Sequence, residues 1–276
     1  MSSDSTLVVR NLHFAFDETI PKHWHSGSAL RSAIFNSQSL FFPAGERFFV
    51  DSVKRYIPRL SDPQLRREAQ LFCGQEAVHQ REHSRYNAML ARQGFPAERL
   101  ERQVVRVLGL VKRLTLPRWQ LAVTCALEHF TAIGAYLLLT TPDMLDGAEP
   151  RMAAFWRWHA GEETEHKAIP FDVYKAMGGF YLERVVVMLC TTLVFQVYSM
   201  LMLMAFLRTE RQLFSRRTWS DLLFGQRPMW GQNFSLRSYL AYFRPGFHPL
   251  QFRTEPALMA FRRELATSRV YAQAAG

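Results

Sequence analysis

The chain has 276 residues, 48% of them hydrophobic and 21% charged, with 14 Gly, 13 Pro and a net charge of +10. That length and composition supply a sizeable core and exclude a disordered or fibrous protein. The three cysteines, Cys73, Cys125 and Cys190, stand far apart without a CxxC pair, which argues against a disulfide scaffold or a cysteine zinc site and fits a reducing compartment.

The opening, MSSDSTLVVRNLHFAFDETIPKHWHSG, has early acids and no basic segment followed by a long apolar run, so a cytoplasmic start is expected. From there the periodicity is helical nearly throughout. Residues 28–58 read as a helix interrupted near Pro43, because proline lacks an amide donor and clashes with the preceding turn. Ser61-Asp62-Pro63 is a helix start and Gly94 with Pro96 a stop, giving a helix at about 63–93. A shorter basic amphipathic stretch covers 97–113. Pro117 opens a helix to about Thr140, and a further one is expected over about 149–177, ending at Gly178-Gly179.

Residues 185–207 carry no charged side chain, a length that suffices to cross a bilayer. A simple span would export the first 184 residues without a signal, since the positive-inside rule keeps the arginine-rich end in the cytoplasm. A core helix, or one dipping into a single leaflet, suits both facts. Residues 208–276 hold eleven Arg and no Lys against Glu210, Asp221, Glu255 and Glu264, so 7 of the 10 net charges fall there. Such a tail suggests an anionic membrane surface as partner and a peripheral or monotopic position at the inner face. Nucleic-acid binding is not expected, because the arginines are scattered among bulky apolar residues with no recognisable motif. The organisation is thus an irregular segment 1–27, an all-α four-helix bundle over 28–180, an apolar helix over 181–207, and a basic C-terminal extension over 208–276.

Four helices each place a carboxylate on an otherwise apolar face: Glu46 in PAGERFFV, Glu76 in GQEAVHQREH, Glu128 in CALEHFTA and Glu163 in WHAGEETEH. His79 and His166 follow Glu76 and Glu163 at i+3, so each pair turns toward one point. The stripes bear this out: Phe72, Glu76, His79, His83 and Tyr86 share one face, as do Phe155, His159, Glu163 and His166. Buried ionisable groups need partners, and no Lys or Arg lies on these stripes to neutralise four carboxylates. Two Glu and two Glu-x-x-His pairs are the donor set of di-iron and di-manganese bundles. Oxygen and nitrogen donors without thiolate suit iron or manganese, with zinc also accepted.

These motifs, with FRPGFHP, resemble the bacterial family labelled predicted metal-dependent hydrolases, placed in the ferritin-like superfamily, over about Leu12 to Pro249. The resemblance implies a ferritin-like bundle with two metal ions at Glu46, Glu76, His79, Glu128, Glu163 and His166. His83, one turn after His79, and His159, one turn before Glu163, are expected to converge on one side of the metals. His159 is either a seventh ligand or a histidine bonded to a ligand carboxylate, a spacing similar to that of arylamine N-oxygenases. Glu162 is the remaining candidate for an alternative ligand or a base. Glu82 and His129 read as off the inward face, Cys73 and Cys125 as small core residues, and His23 and His25 as surface-loop residues.

The expected activity is oxidation of a small hydrophobic or lipid-like substrate by a di-iron centre that activates dioxygen. The alternatives are hydrolysis at the same dinuclear site and a non-enzymatic iron-handling or membrane-associated role. The sequence specifies neither an electron donor nor an oligomeric state.

Overall fold

The computed structural model describes residues 7–224 and 234–275, and within these every regular element is a helix. Residues 225–233 of the expected basic extension lie outside the described residues. The first two helices, α1 (Ala29–Ser39) and α2 (Phe42–Lys54), are separated where expected, with Pro43 in the first turn of α2. Next comes α3 (Pro63–Arg92), whose Asp62 side chain accepts a hydrogen bond from the Gln64 amide and so caps the start that Pro63 opens. Helices α4 (Ala97–Leu114) and α5 (Pro117–Thr140) follow as read from the sequence.

The single helix expected over 149–177 is two: α6 (Pro150–His166) and α7 (Ile169–Ala176). Pro170 explains the break. Inside a continuous helix its ring would meet the carbonyl four residues back, that of His166, and it has no amide to donate. The chain continues with α8 (Tyr181–Thr209), α9 (Arg216–Phe224), α10 (Phe234–Ala241), α11 (Glu255–Thr267) and α12 (Arg269–Ala275).

Contacts run around a ring in which α2 packs on α3, α3 on α6, α6 on α5 and α5 on α2. These are the four helices that carry Glu46, Glu76, Glu163 and Glu128. Residues 7–28 contain no helix, yet Phe14, Phe16, Ile20 and Trp24 are core side chains packed with Tyr86, Phe155 and Trp158. Two helical glycines admit neighbours closely. A Cβ on Gly74 of α3 would lie 2.7 Å from the Val9 side chain, and one on Gly161 of α6 would lie 2.2 Å from the Phe261 ring of α11. Both glycines cost helix propensity, and each permits a close approach beside the candidate metal residues.

Helices α5 and α8 are each long and apolar enough, by length and composition, to cross a membrane. They differ in use. The most apolar window of α5 is 56% buried, whereas that of α8 is 28% buried. One side of α8 (Val187, Met188, Met202, Phe206) enters the core, and the other (Leu189, Leu193, Val197, Leu201) is exposed.

Candidate metal centre

Glu46, Glu76, His79, Glu128, His159, Glu163 and His166 are all buried and converge inside the ring. Among the described residues their donor atoms fall into four overlapping groups: Glu46 with Glu76 and His79, His79 with His159 and Glu163, Glu76 with Glu128 and His166, and Glu46 with His159 and His83. Glu163 is central. Its Oε1 lies 2.9 Å from His159 Nε2 and 3.6 Å from His79 Nδ1, and its Oε2 lies 3.6 Å from His166 Nε2. Glu76 Oε1 is 3.0 Å from His166 Nε2. Glu76 and Glu163 therefore stand between two halves, one holding Glu46, His79 and His159, the other Glu128 and His166.

Which nitrogen of each histidine faces this point follows from what the other one does. His79 donates from Nε2 to the Glu162 carboxylate at 2.9 Å, which turns Nδ1 inward; burial lowers this ring, but its bonds to Glu162 and Glu163 outweigh that and raise it to about 9 without a metal. His166 donates from Nδ1 to Gln75 Oε1 at 2.9 Å, leaving Nε2 inward. His159 is fixed through a longer chain. The Asn87 amide donates to Ser39 O and to Glu101. Its oxygen therefore accepts the Ser39 hydroxyl hydrogen at 2.7 Å. Ser39 Oγ can then only accept from His83 Nδ1, 2.8 Å away. His83 Nε2 in turn accepts from His159 Nδ1 at 2.9 Å. Burial lowers His83 well below the ordinary imidazole range, and burial with neighbouring His79 pushes His159 down to about 4. Both rings are neutral near pH 7, so the Nε2 lone pair of His159 points at Glu163 and Glu46.

The expected convergence of His83 and His159 is thus present, with unequal roles: His159 presents a lone pair to the centre, and His83 spends its own on holding His159. Glu162, expected as an alternative ligand or as a base behind the ligands, stands behind His79. Its Oε2 receives the His79 hydrogen bond and its Oε1 that of Arg10 at 2.9 Å. Glu82 is buried but outside the centre, accepting from the Phe14 amide and from Arg81 and Arg85. His129 is also buried, bonded to Ser238 O. His25 is a correction: it is buried, not on a surface loop, and its Nε2 lies 2.7 Å from Met144 O. Gln75, Ser39 and Arg10 were missed by the sequence reading. Arg10 pairs with both Glu162 and Glu165 from outside the helical stripes.

The donor set can be tested for fit to metal. Both oxygens of Glu46, Glu76 and Glu128, with Glu163 Oε2, His79 Nδ1 and His166 Nε2, are buried without a hydrogen-bond partner. Orphaned buried polar atoms are rare in native folds, and here they face one another. His159 Nε2 and Glu163 Oε1, both acceptors, meet at 2.9 Å, which is repulsive unless a positive charge is shared between them. Burial, reinforced by the neighbouring carboxylates, drives Glu46 and Glu128 well above the usual carboxylate range. Burial acts on Glu163 in the same sense but is outweighed by His166, His159 and His79, which hold it well below. Residues of these types, so placed, fit divalent cations.

A model of the family described as predicted metal-dependent hydrolase matches residues 8–252. The chain belongs to that family. The family match runs from beside Arg10 to the segment that follows α10, so the whole centre and the residues behind it lie inside it. Comparisons with curated proteins and with solved structures found no match.

Proposed function

We propose that this member of the predicted metal-dependent hydrolase family works through a two-metal centre held by Glu46, Glu76, His79, Glu128, Glu163 and His166, with His159 as a seventh donor. The observation that carries the reading is the set of unpartnered carboxylate oxygens and imidazole nitrogens buried around one point. The family description turns the chemistry toward hydrolysis. Bound divalent ions supply Lewis acidity, activating water near neutral pH and polarising the group attacked.

The chain's own residues do the rest. Glu162, Gln75 and His83 fix which nitrogen each ligand histidine presents. Phe42 stacks on His83 with ring centres 4.3 Å apart, and Trp158 meets His79 edge-on at 4.9 Å, so bulk water is kept from this side of the centre. In the reaction, water adds across the scissile bond, its hydroxyl to the electrophilic carbon and its remaining proton to the leaving group. The test is metal content of anaerobically purified protein together with metal-dependent ester hydrolysis. Glu163→Gln is expected to lose both while keeping its helical spectrum; hydrolysis that survives without metal overturns the reading.

One observation favours a second reading. Two Glu and two Glu-x-x-His pairs on four helices are also the donor set of proteins that use iron or manganese with dioxygen. An iron-loaded protein that consumes dioxygen stoichiometrically with substrate, and hydrolyses nothing, would put oxidation first.

A further inference from the structure

A cavity of about 750 Å³ lies between α4, α5 and α8 and reaches inward to His159 and Glu163. Its floor is one face of α5, where Trp119, Val123, Leu127, Phe130, Gly134 and Leu138 recur at helical spacing. At ~1.5 Å per residue that stripe is roughly 28 Å long, close to the ~30 Å of a bilayer's hydrocarbon core and about twice one leaflet's acyl chain. The walls are almost wholly apolar, while the inner end carries ionisable groups. Glu128 lies part-way along α5, so apolar wall continues on both sides of the centre. Leu110 of α4, Trp119, and Val186 and Val194 of α8 line the cavity and are also exposed, so it opens to the surface there.

We propose that this groove holds a long-chain acyl compound, lying along α5 with its reacting group at Glu163 and His159. The assignment rests on the reading of the centre as a metal site. A compact polar substrate would leave most of the groove unfilled and its apolar walls wet, whereas an extended chain dries them at about 0.8 kcal/mol per methylene. The volume falls in the range that ligand pockets occupy. The opening beside the exposed side of α8 admits a chain carried in a lipid layer.

The experiment uses the full-length protein as purified, with cis-parinaric acid as fluorescent probe and octanoate, laurate and palmitate as competitors. Palmitate is expected to displace the probe best, with affinity rising about four-fold per added methylene until the groove is full, the equivalent of about 0.8 kcal/mol each. Gly134 supplies the blocking variant, because a Cβ there meets nothing within 4 Å and a larger side chain grows into the groove. Gly134→Phe is expected to weaken palmitate binding about ten-fold or more without changing metal content. A second readout uses Cys190, the exposed cysteine on the groove wall: palmitate is expected to slow its modification by a maleimide. Affinity independent of chain length, or binding that neither Gly134→Phe nor Cys190 reports, overturns the assignment. Metal content is measured on the same samples. Protein that binds palmitate in the groove but holds no metal would retain this inference and discard the metal centre, while the reverse result would do the opposite.

Discussion

His83 Nε2 lies 2.9 Å from His159 Nδ1, and this bond settles which face of His159 looks toward Glu163. Removing the acceptor leaves His159 free to rotate or to change tautomer. His83→Ala is therefore expected to keep the fold and to lower affinity for one of the two proposed metals about 10–100-fold, the usual cost of losing the partner behind a ligand. His159→Ala should empty that position outright. Metal stoichiometry by mass spectrometry, with a competing chelator for affinity, separates the two outcomes.

Glu162 acts on His79 in the same manner, with a charge added. Glu162→Gln keeps the shape but offers a weaker acceptor to His79 and leaves Arg10 with Glu165 alone. The expected result is a 10–100-fold loss of metal affinity with the helical content retained. If Glu162→Gln instead binds metal normally and loses only turnover, Glu162 belongs in the reaction and not behind it.

Metal removal should be visible as instability. The ion-free centre gathers four carboxylates whose ion-pair partners, among the described residues, are histidines. A ligand at 100 times its Kd adds about 2.7 kcal/mol to a fold that alone binds it. At 2–4 °C per kcal/mol for a chain of this order of size, chelation is expected to lower Tm by roughly 5–10 °C, and the shift should follow metal concentration.

Gly161 gives a packing test. Alanine there places its Cβ within 2.2 Å of the Phe261 ring, so α11 must move off α6. A loss of about 1–3 kcal/mol in denaturant unfolding is expected. The same change in a Phe261→Ala background should cost clearly less, because the two sites share one contact.

His25 predicts the direction of acid sensitivity. Burial lowers its pKa in the fold, so the neutral ring is the form the fold prefers. Above the unfolded value of about 6.5 neither state binds the proton and nothing is lost. As pH falls below that value the unfolded chain takes up a proton that the folded one refuses, and stability declines until the folded pKa is reached. Unfolding at pH 5 and pH 7.5 should show a smaller difference in His25→Gln than in the parent.

Much of the site was legible because helical spacing fixes which residues share a face. Glu76 with His79 and Glu163 with His166 follow from positions three apart, and the meeting of His83 with His159 follows from their one-turn offsets once the two helices are taken as antiparallel. The break after His166 was also written in the sequence, at Pro170, but a long apolar stripe hid it. What could not be read was the layer behind the ligands. Gln75 and Ser39 are ordinary polar residues whose importance comes from a neighbour on another helix. Arg10 sits in a segment without periodicity, and Glu162 shares its helix with the ligands but lies one position off their stripe. His25 looked like part of a polar loop until the loop folded onto Met144.

The pairing of Arg10 with Glu162 spans 152 positions of the chain. An ion pair of that separation contributes nothing until the helices between its ends are assembled, and closing so long a loop is entropically costly. Since Glu162 orients His79, how tightly the candidate centre holds a metal depends on a stretch of chain that contributes no donor to it.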